Sequence, residues 1–270
     1  MILCFIKKKD GYISVSLAVP GGRIVGGRDA QRGQFPFQVS VQFCTRGACQ
    51  HACGGVIVQP STVITAAHCF TNAPALGSYK IIAGILSLND DNPERQEVLA
   101  KYVLIHPQYQ GGVNPHDIAI VKLANPLSFS SSVGPALLPA IDYHVSGEAI
   151  VTGWGSIGGS ETPIMPSTLQ LAPTPIINAT ACKTALDTLL NNAPHPLDLE
   201  TNICTGPLTG GVSICTGDSG GPLVYVRFDN RSEVIGISSW GITPCGIVGA
   251  PSVYVKTNSY YDWIQDHLYD

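Results

Sequence analysis

The chain has 270 residues, of which 44% are hydrophobic and 13% are charged, and its formal net charge at pH 7 is −4. This apolar share can support a sizeable core and excludes an intrinsically disordered chain, and the length favours one large domain or two fused halves. The acidic balance, with a single basic run at residues 7–9, argues against nucleic acid as a partner, because nucleic-acid binding needs a clustered basic face.

Nine cysteines are spread along the chain, which is a high number for a cytosolic protein of this size. They do not combine a repeated Cys-x-x-Cys pair with a pair of histidines, so the sequence predicts no zinc site. Disulfide bonds formed in an oxidising compartment are the better interpretation, and they predict a secreted, extracellular protein. The odd number leaves one cysteine over, and Cys4 is the natural outlier.

Residues 1–23 differ from the rest of the chain, because they have no regular hydrophobic period and end in Pro-Gly-Gly-Arg. The basic residues 7–9 follow an apolar start, whereas an ordinary signal peptide has its positive charges first. We interpret residues 1–23 as an atypical signal or pro-segment that is removed by cleavage after Arg23. No stretch reaches the roughly 18 apolar residues of a membrane helix, so we predict no membrane association.

Short apolar or alternating segments follow, separated by glycine, proline and asparagine. The predicted strands are residues 37–43, 55–58, 63–67, 79–83, 98–105, 118–123, 149–152, 222–226, 234–238 and 252–256. Many short strands at this spacing predict a sandwich or barrel rather than a parallel sheet. Helical periodicity is confined to residues 178–190 and 259–268, and the Pro- and Ser-rich stretch 124–144 indicates a connection between two β halves.

Three short segments carry the chemistry. Residues 65–69 (Thr-Ala-Ala-His-Cys) place His68 at the end of an apolar strand, and Asp117 stands just before another. Residues 217–222 (Gly-Asp-Ser-Gly-Gly-Pro) place Ser219 in a glycine-rich bend. A serine hydroxyl needs a base to take its proton and a carboxylate to fix the tautomer of that base. Each segment alone is an ordinary turn or surface feature, whereas together they predict a catalytic triad.

At these residues the chain closely resembles the chymotrypsin-like serine peptidases, over about residues 24–270. The order His, Asp, Ser matches that family, and so do Ile-Val-Gly-Gly at 24–27 and Asp-Trp-Ile at 262–264. The resemblance implies an all-β fold of two six-stranded antiparallel Greek-key barrels with a C-terminal α-helix and a catalytic cleft between the barrels. It divides the peptidase domain into an N-terminal barrel (24–130), a C-terminal barrel (131–257) and a terminal helix (258–270).

The resemblance also implies how substrate is held. The backbone N–H groups of Gly217 and Ser219 would form the oxyanion hole, since glycine leaves such groups accessible. Ser239, Trp240 and Gly241 would form the edge against which an extended substrate pairs as an added strand. The family uses no cofactor for this chemistry, and none is predicted here.

The segment around Arg23 resembles the activation junction of the family. Cleavage after Arg23 would free the α-amino group of Ile24, and Asp218 would receive that ammonium as a buried partner. The new ion pair would then set the oxyanion hole. Ser40 and His51 align with residues that hold this aspartate in the inactive precursor of some relatives, so we hypothesise a Ser40–His51–Asp218 network; an ordinary core histidine is the alternative.

The resemblance assigns three disulfide bonds, which are Cys53–Cys69, Cys182–Cys204 and Cys215–Cys245. Cys44 and Cys49 remain and are predicted to pair across a hairpin loop. Cys4 has no predicted partner, because it lies in the removable segment.

Substrate preference depends on the base of the specificity pocket. Ser213 stands at the position where trypsin-like members carry Asp, so no preference for Lys or Arg is expected. Gly241 leaves the mouth of the pocket open to large side chains, and Ser252 is assigned to its deep end, which it would shorten. We therefore predict chymotrypsin-like cleavage after Tyr, Phe, Leu or Met.

The sequence also bears on calcium binding and on glycosylation. The loop that binds calcium in some relatives would begin near Ile85, where the expected carboxylate is missing, so no metal is predicted. The sequons at Asn178 and Asn230 are glycosylation sites by pattern, although this pattern is common by chance.

The leading interpretation is a monomeric serine endopeptidase that acts on proteins and peptides. Its further partners would be an activating protease that cuts after Arg23 and protein protease inhibitors. Two alternatives stay open: a catalytically silent homologue that binds or regulates, and an esterase or lipase with the same triad, which the triad order disfavours.

Overall fold

The structure, a computed structural model, describes residues 5–7, 24–71, 76–140, 145–158, 164–229 and 231–268. For residues 5–7 the backbone alone is described. Cys4, Arg23 and Asn230 lie outside the described residues, and with them the predicted cleavage site and one predicted glycosylation site.

The described strands form two closed barrels of six antiparallel strands each, which confirms the predicted fold. Two short strands come first, β1 (Phe5–Lys7) and β2 (Arg28–Asp29). The first barrel pairs in the order β3-β4-β5-β8-β7-β6 and consists of β3 (Gln38–Thr45), β4 (Ala48–Gln59), β5 (Thr62–Thr65), β6 (Ser78–Ala83), β7 (Gln96–Ile105) and β8 (Ala119–Leu123). The second pairs in the order β13-β12-β9-β10-β11-β14, closes between β13 and β14, and consists of β9 (Glu148–Gly153), β10 (Gln170–Ile177), β11 (Asn202–Thr205), β12 (Pro222–Val226), β13 (Ser232–Thr243) and β14 (Ser252–Lys256).

Helices are short in the described part of the chain: α1 (His68–Thr71), α2 (Ala179–Leu189), a 3-10 helix (Thr257–Tyr260) and α3 (Tyr261–Asp266). Helix α2 begins where the sequence predicts, because the Asn178 side chain caps it by accepting the N–H of Ala181 at 2.7 Å. The predicted C-terminal helix is shorter than expected, since its first turn is a 3-10 helix. None of the described helices has the length and apolar composition that crossing a membrane requires.

The most deeply buried part of the first barrel is the pair of strands β5 and β8. Strands β5 and β8 pair with each other and are buried along their whole length, as their continuous apolar character predicts. Lys122 of β8 is buried and donates from Nζ to the carbonyl of Leu268 at 3.0 Å. Leu268, the last described residue, is thereby fixed to the first barrel, although the preceding strand, β14, belongs to the second.

Residues 24–29, which precede the first barrel in the chain, contact the second barrel. Ile24 is fully buried in a cluster with Ile214 and Leu223 of the second barrel region. Val25 forms an isolated bridge with Ser213, and strand β2 pairs with β10. Residues 24–29 therefore pack with the second barrel, whereas the predicted boundary places them in the N-terminal one.

The described cysteines form four disulfide bonds, and these match the predicted pairs: Cys44–Cys49, Cys53–Cys69, Cys182–Cys204 and Cys215–Cys245. Cys53–Cys69 links β4 to the turn that follows His68, and Cys215–Cys245 links the segment before Ser219 to the end of β13. Two of the four bonds thus brace the segments that carry the predicted triad.

Candidate active site

His68 and Asp117 are brought together by the pairing of β5 with β8. Thr65 at the end of β5 lies opposite Ala119 at the start of β8, so the residues beyond each end are neighbours. His68 Nδ1 lies 2.7 Å from Asp117 Oδ2, and the His68 backbone N–H donates to Oδ1 at 2.8 Å. Both side chains are buried. The carboxylate accepts a hydrogen bond from Nδ1–H. Nε2 is therefore the unprotonated, basic nitrogen of the neutral ring.

The second barrel contributes to the same carboxylate. The Ser239 hydroxyl, on β13, donates to Asp117 Oδ2 at 2.5 Å. Asp117 therefore accepts three hydrogen bonds, two from His68 and one from Ser239. These bonds fix the orientation of the carboxylate and compensate for its burial.

Ser219 is held against the first barrel by its backbone. Its carbonyl accepts the N–H of Gly54 at 2.8 Å. Gly220 has φ +76° and packs so closely that an added Cβ would lie 2.0 Å from Thr65 Oγ1 and 3.1 Å from the backbone nitrogen of Ala66. The glycine after Ser219 thus allows the bend to reach the segment that leads into His68. Among the described residues no hydrogen bond joins Ser219 to His68; in free enzymes such bonds are often long and tighten with substrate.

The N–H groups around Ser219 alternate in their use. Those of Asp218 and Gly220 donate to backbone carbonyls at 3.0 and 2.8 Å. Those of Gly217 and Ser219 have no acceptor within the described part of the chain. Gly217 has φ +96°, a conformation that a residue with a side chain rarely adopts. Two backbone donors close to the Ser219 hydroxyl are thus unoccupied, as an oxyanion hole requires.

Asp218 is fully buried and is held by backbone groups. Its Oδ1 accepts the N–H of Gly155 and its Oδ2 that of Cys215, both at 2.9 Å. Burial raises the pKa of the Asp218 carboxyl to about 7, and the two N–H groups act in the opposite direction without overcoming it.

His51 does not contact Asp218 as the predicted precursor network requires. Its Nδ1 lies 2.8 Å from Ser40 Oγ, as expected, but its Nε2 lies 3.0 Å from the carbonyl oxygen of Gly217. Since a carbonyl accepts only, Nε2 carries the proton and Nδ1 accepts from Ser40. Burial lowers the pKa of His51 to about 4, so the ring is neutral at pH 7. In this conformation the Ser40–His51 pair supports the Gly217 peptide, and both Asp218 oxygens are bonded elsewhere.

The three residues assigned to the specificity pocket meet. Gly241 on β13 lies opposite Ser252 on β14, and Ser252 Oγ is 3.3 Å from Ser213 Oγ. An added Cβ on Gly241 would meet one atom, Ile214 Cγ1, at 3.8 Å, so that position is open. Ser252 also accepts the N–H of Ile214 at 3.1 Å. Both serines are buried, so the base of this region is uncharged and hydroxyl-lined.

The predicted substrate edge is partly free. Strand β13 pairs with β14 through Gly241, but on its other side it pairs with β12 only as far as Ile237. On that side the backbone of Ser238 bonds to Gly220 and Gly221, and β1 pairs in parallel from Gly241 onward. Within the described residues, no strand thus pairs with that side of β13 at Ser239 and Trp240.

His116, the residue before Asp117, has φ +64°. Its Nδ1 lies 2.9 Å from the Tyr260 hydroxyl, and its ring stacks on His106 with centroids 5.1 Å apart. Burial lowers the pKa of His106 to about 4, and the neighbouring charge of His116 acts in the same direction. The left-handed backbone before Asp117 is thus held by side-chain contacts.

Two features bear on metals. Ligand atoms of Cys53, His68 and Cys69 lie within 4.8 Å of one another, but the two cysteines form a disulfide bond and so offer no thiolate. In the loop that follows Ile85, the Asp90 carboxylate accepts hydrogen bonds from Arg32 at 2.6 Å and from the Leu86 N–H at 3.0 Å.

Residues that sequence reasoning missed also lie at the site. Gly155 donates to Asp218, and an added Cβ on it would lie 2.4 Å from the Asp218 carboxyl carbon. Tyr254, buried on β14, pairs in register with Ser238, the residue before Ser239. Met165 reaches Gly217 from a loop. The Gly-Trp-Gly sequence at 153–155 indicates that Gly155 has a special position. No motif of the sequence marks Tyr254 or Met165.

Comparisons with known proteins agree with this geometry. The family described as Trypsin matches residues 24–264. A protein named Lectizyme from Glossina austeni is 34% identical over 92% of this chain and 88% of its own length. Ovochymase from Halocynthia roretzi is 35% identical over 90% of this chain, and the atrial natriuretic peptide-converting enzyme of Mus musculus is 33% identical over 92%. In these two much longer relatives the match spans 15% and 21% of their respective lengths.

Proposed function

The chain belongs to the trypsin family of serine endopeptidases, and from this premise we propose that it hydrolyses peptide bonds through an acyl-enzyme formed on Ser219. The observation that carries the assignment is the pair of unoccupied N–H groups, on Gly217 and Ser219, close to the hydroxyl. Most backbone N–H groups of a folded chain are paired, so two unpaired donors on either side of Asp218 mark this bend as a binding position for an oxygen.

His68 acts as the base in this proposal. Its Nε2 takes the proton of Ser219 as the hydroxyl oxygen attacks the substrate carbonyl, and later returns it to the leaving amine. Asp117 holds the ring by its Nδ1 and stabilises the imidazolium that forms; the Ser239 hydroxyl fixes the carboxylate in turn. Water then attacks the acyl-enzyme, with His68 again as the base, and releases the acid product.

The negative charge that develops on the carbonyl oxygen is met by the N–H groups of Gly217 and Ser219. Removing one such donor typically costs about 10²–10³ in kcat. The His51 bond to the Gly217 carbonyl supports this role, because it fixes the peptide on the far side of Gly217. The edge of β13 at Ser239 and Trp240 is suited to pair with the backbone of an extended substrate.

Specificity follows from the uncharged base of the pocket. Ser213 and Ser252 present hydroxyls whose bonds are within the protein, and Gly241 leaves the entrance open. A Lys or Arg side chain would lose its hydration there without gaining a carboxylate partner. We therefore assign cleavage after Tyr, Phe, Leu or Met.

Ser213→Asp should shift this preference. The buried carboxylate would pair with a substrate guanidinium, so we expect the ratio of kcat/KM for Arg-ended over Phe-ended peptides to rise by about 10-fold or more, the effect of ~1.4 kcal/mol. Ser213→Asn is the matched control, because it has the same shape without the charge. If wild type already turns over Arg-ended peptides faster than Phe- and Leu-ended ones, the assignment is wrong.

Activation is proposed to follow cleavage after Arg23. Ile24 is buried with the second barrel, and in this proposal its freed ammonium pairs with the buried Asp218 carboxyl, whose pKa burial raises. Pairing raises the pKa of that amine above its ordinary range of about 7.7–8.0. The stabilisation of the active form is therefore present at neutral pH and lost as pH rises through the raised value.

In the uncut chain, Asp218 should make stability fall as pH rises. Its folded-state pKa of about 7 exceeds the ordinary value of 3.8, so between these values the folded state binds more protons than the unfolded state. We expect Arg23→Gln protein to be more stable at pH 5 than at pH 7 by more than about 1 kcal/mol, measured by urea unfolding. Adding Asp218→Asn should remove this difference, whereas adding Asp262→Asn, at an exposed position, should leave it; equal slopes in all three would refute the buried unpaired carboxyl.

The remaining assignments are proposals as well. Disulfide bonds favour an oxidising, extracellular location, and the partners would be protein or peptide substrates, an activating protease and protein protease inhibitors. The test of the whole assignment is to cut the purified full chain after Arg23 with immobilised trypsin, remove the trypsin and add a peptide library. Cleavage after large apolar residues is expected. No turnover would indicate a silent homologue, and turnover of esters alone an esterase.

A further inference from the structure

Met165 lies beside the oxyanion hole. The chain has two methionines, Met1 and Met165, and Met165 is 41% exposed. The backbone of the preceding residue, Ile164, is bonded twice: its carbonyl accepts the N–H of Ile157 at 2.9 Å, and its N–H donates to Ser156 Oγ at 3.0 Å. These bonds fix the backbone from which the Met165 side chain extends.

The tip of this side chain touches Gly217. A Cβ built on Gly217 would lie 2.9 Å from Met165 Cε, 3.1 Å from Gly155 Cα and 3.7 Å from His51 Cδ2. The methyl group of the thioether therefore packs against the residue that supplies one N–H to the proposed oxyanion hole. A flexible, partly exposed thioether is also the side chain that oxidants modify most readily after free thiolates.

We propose that Met165 is a site of reversible oxidation that lowers the catalytic rate, an inference that rests on the proposed function. The oxidant is a peroxide, such as hydrogen peroxide. The sulfur loses two electrons and gains one peroxide oxygen; the O–O bond breaks, and the other oxygen leaves as water. The product is methionine sulfoxide, which a sulfoxide reductase converts back to methionine with electrons from a dithiol.

The sulfoxide changes the charge distribution next to Gly217. Its oxygen carries a partial negative charge and is a strong hydrogen-bond acceptor, whereas the thioether is nearly apolar. A negative dipole end there opposes the charge that develops on the substrate oxygen. Because this charge develops in the transition state, the loss should fall on kcat more than on KM.

Oxidation of the other sulfur atoms of the chain can be distinguished from oxidation of Met165. The eight cysteines among the described residues are all in disulfide bonds. Cys4 and Met1 lie in the segment before Arg23, so peptide mapping separates their oxidation from that of Met165.

The test treats the activated full chain and its Met165→Leu variant with hydrogen peroxide, and follows residue 165 by mass spectrometry. Within each protein, kcat and KM are compared before and after treatment. We expect the kcat of wild type to fall about 10-fold as Met165 gains one oxygen, with KM changed less. Sulfoxide reductase should restore it, and the variant should keep its own starting kcat throughout.

Two outcomes overturn the inference: full kcat in wild type whose Met165 is oxidised, or an equal loss in Met165→Leu. Failure of the proposed function looks different, because the untreated, activated protein would then have no peptidase activity. The measurement before peroxide therefore separates the two.

Discussion

Ser219→Ala is expected to abolish peptidase activity. Without the hydroxyl no acyl-enzyme can form, so only transition-state binding by the oxyanion hole and the cleft remains, and kcat should fall by about 10⁵–10⁶. The change removes one oxygen from a half-buried side chain, and the Ser219 backbone bond to Gly54 is retained. The measurement is kcat for a Phe-ended peptide, together with circular dichroism and a thermal unfolding curve.

Ser128→Ala is the matched control, since Ser128 is exposed on the first barrel. It should keep the wild-type kcat. If Ser219→Ala retained more than about one part in 10³ of the activity with no contaminating protease, another residue would have to be the nucleophile.

Asp117→Asn should have the next largest effect. The amide keeps the shape but presents an N–H₂ or a carbonyl to His68, so the proton is no longer held on Nδ1 by a charged acceptor and the wrong tautomer is favoured. We expect kcat to fall by about 10⁴, the loss found when this orienting carboxylate is neutralised in such triads. The Asp117 carboxylate accepts three hydrogen bonds, from the His68 ring, the His68 backbone and the Ser239 hydroxyl. Loss of its negative charge therefore weakens all three.

The measurement is the pH dependence of kcat from pH 6 to pH 10 in both proteins. Asp262→Asn, at an exposed site in α3, is the control and should match wild type. An Asp117→Asn protein within 10-fold of the wild-type kcat at pH 7 would contradict the role given to the carboxylate.

The sequence predicts most strands of both barrels, because their residues are either fully buried or alternate between core and solvent. Strands β12 and β14 have the predicted bounds, and β8 differs by one residue. Strand β10 was not predicted, since Pro173 and Pro175 argue against a strand; both are exposed and point away from the core. The short strand β11 was missed as well, because four residues give too little periodicity to recognise.

Long-range contacts of the chain ends were beyond the sequence pattern. Nothing local indicates that β2 pairs with β10, or that Leu268 returns to Lys122 of the first barrel. These contacts depend on how the two closed barrels face each other, which no local pattern in the sequence specifies.

The candidate site was predictable where a residue type is required by the chemistry. His68, Asp117 and the glycines around Ser219 belong to that group. The partner of His51 could not be predicted from the sequence. Whether the ring bonds to Asp218 or to the Gly217 carbonyl depends on the conformation of residues 217–219. Met165 could not be predicted either, because it reaches the site from a loop with no motif.

The most direct measurement of the central claim is the labelling of Ser219 by a fluorophosphonate, before and after cleavage at Arg23, with the adduct mapped by mass spectrometry. The probe reacts only with a serine whose base and oxyanion hole are both in place. We predict about one adduct per chain on Ser219 after cleavage, little labelling of uncut protein, and none in Ser219→Ala. Absence of the adduct from verified, folded, cut protein would contradict the assignment.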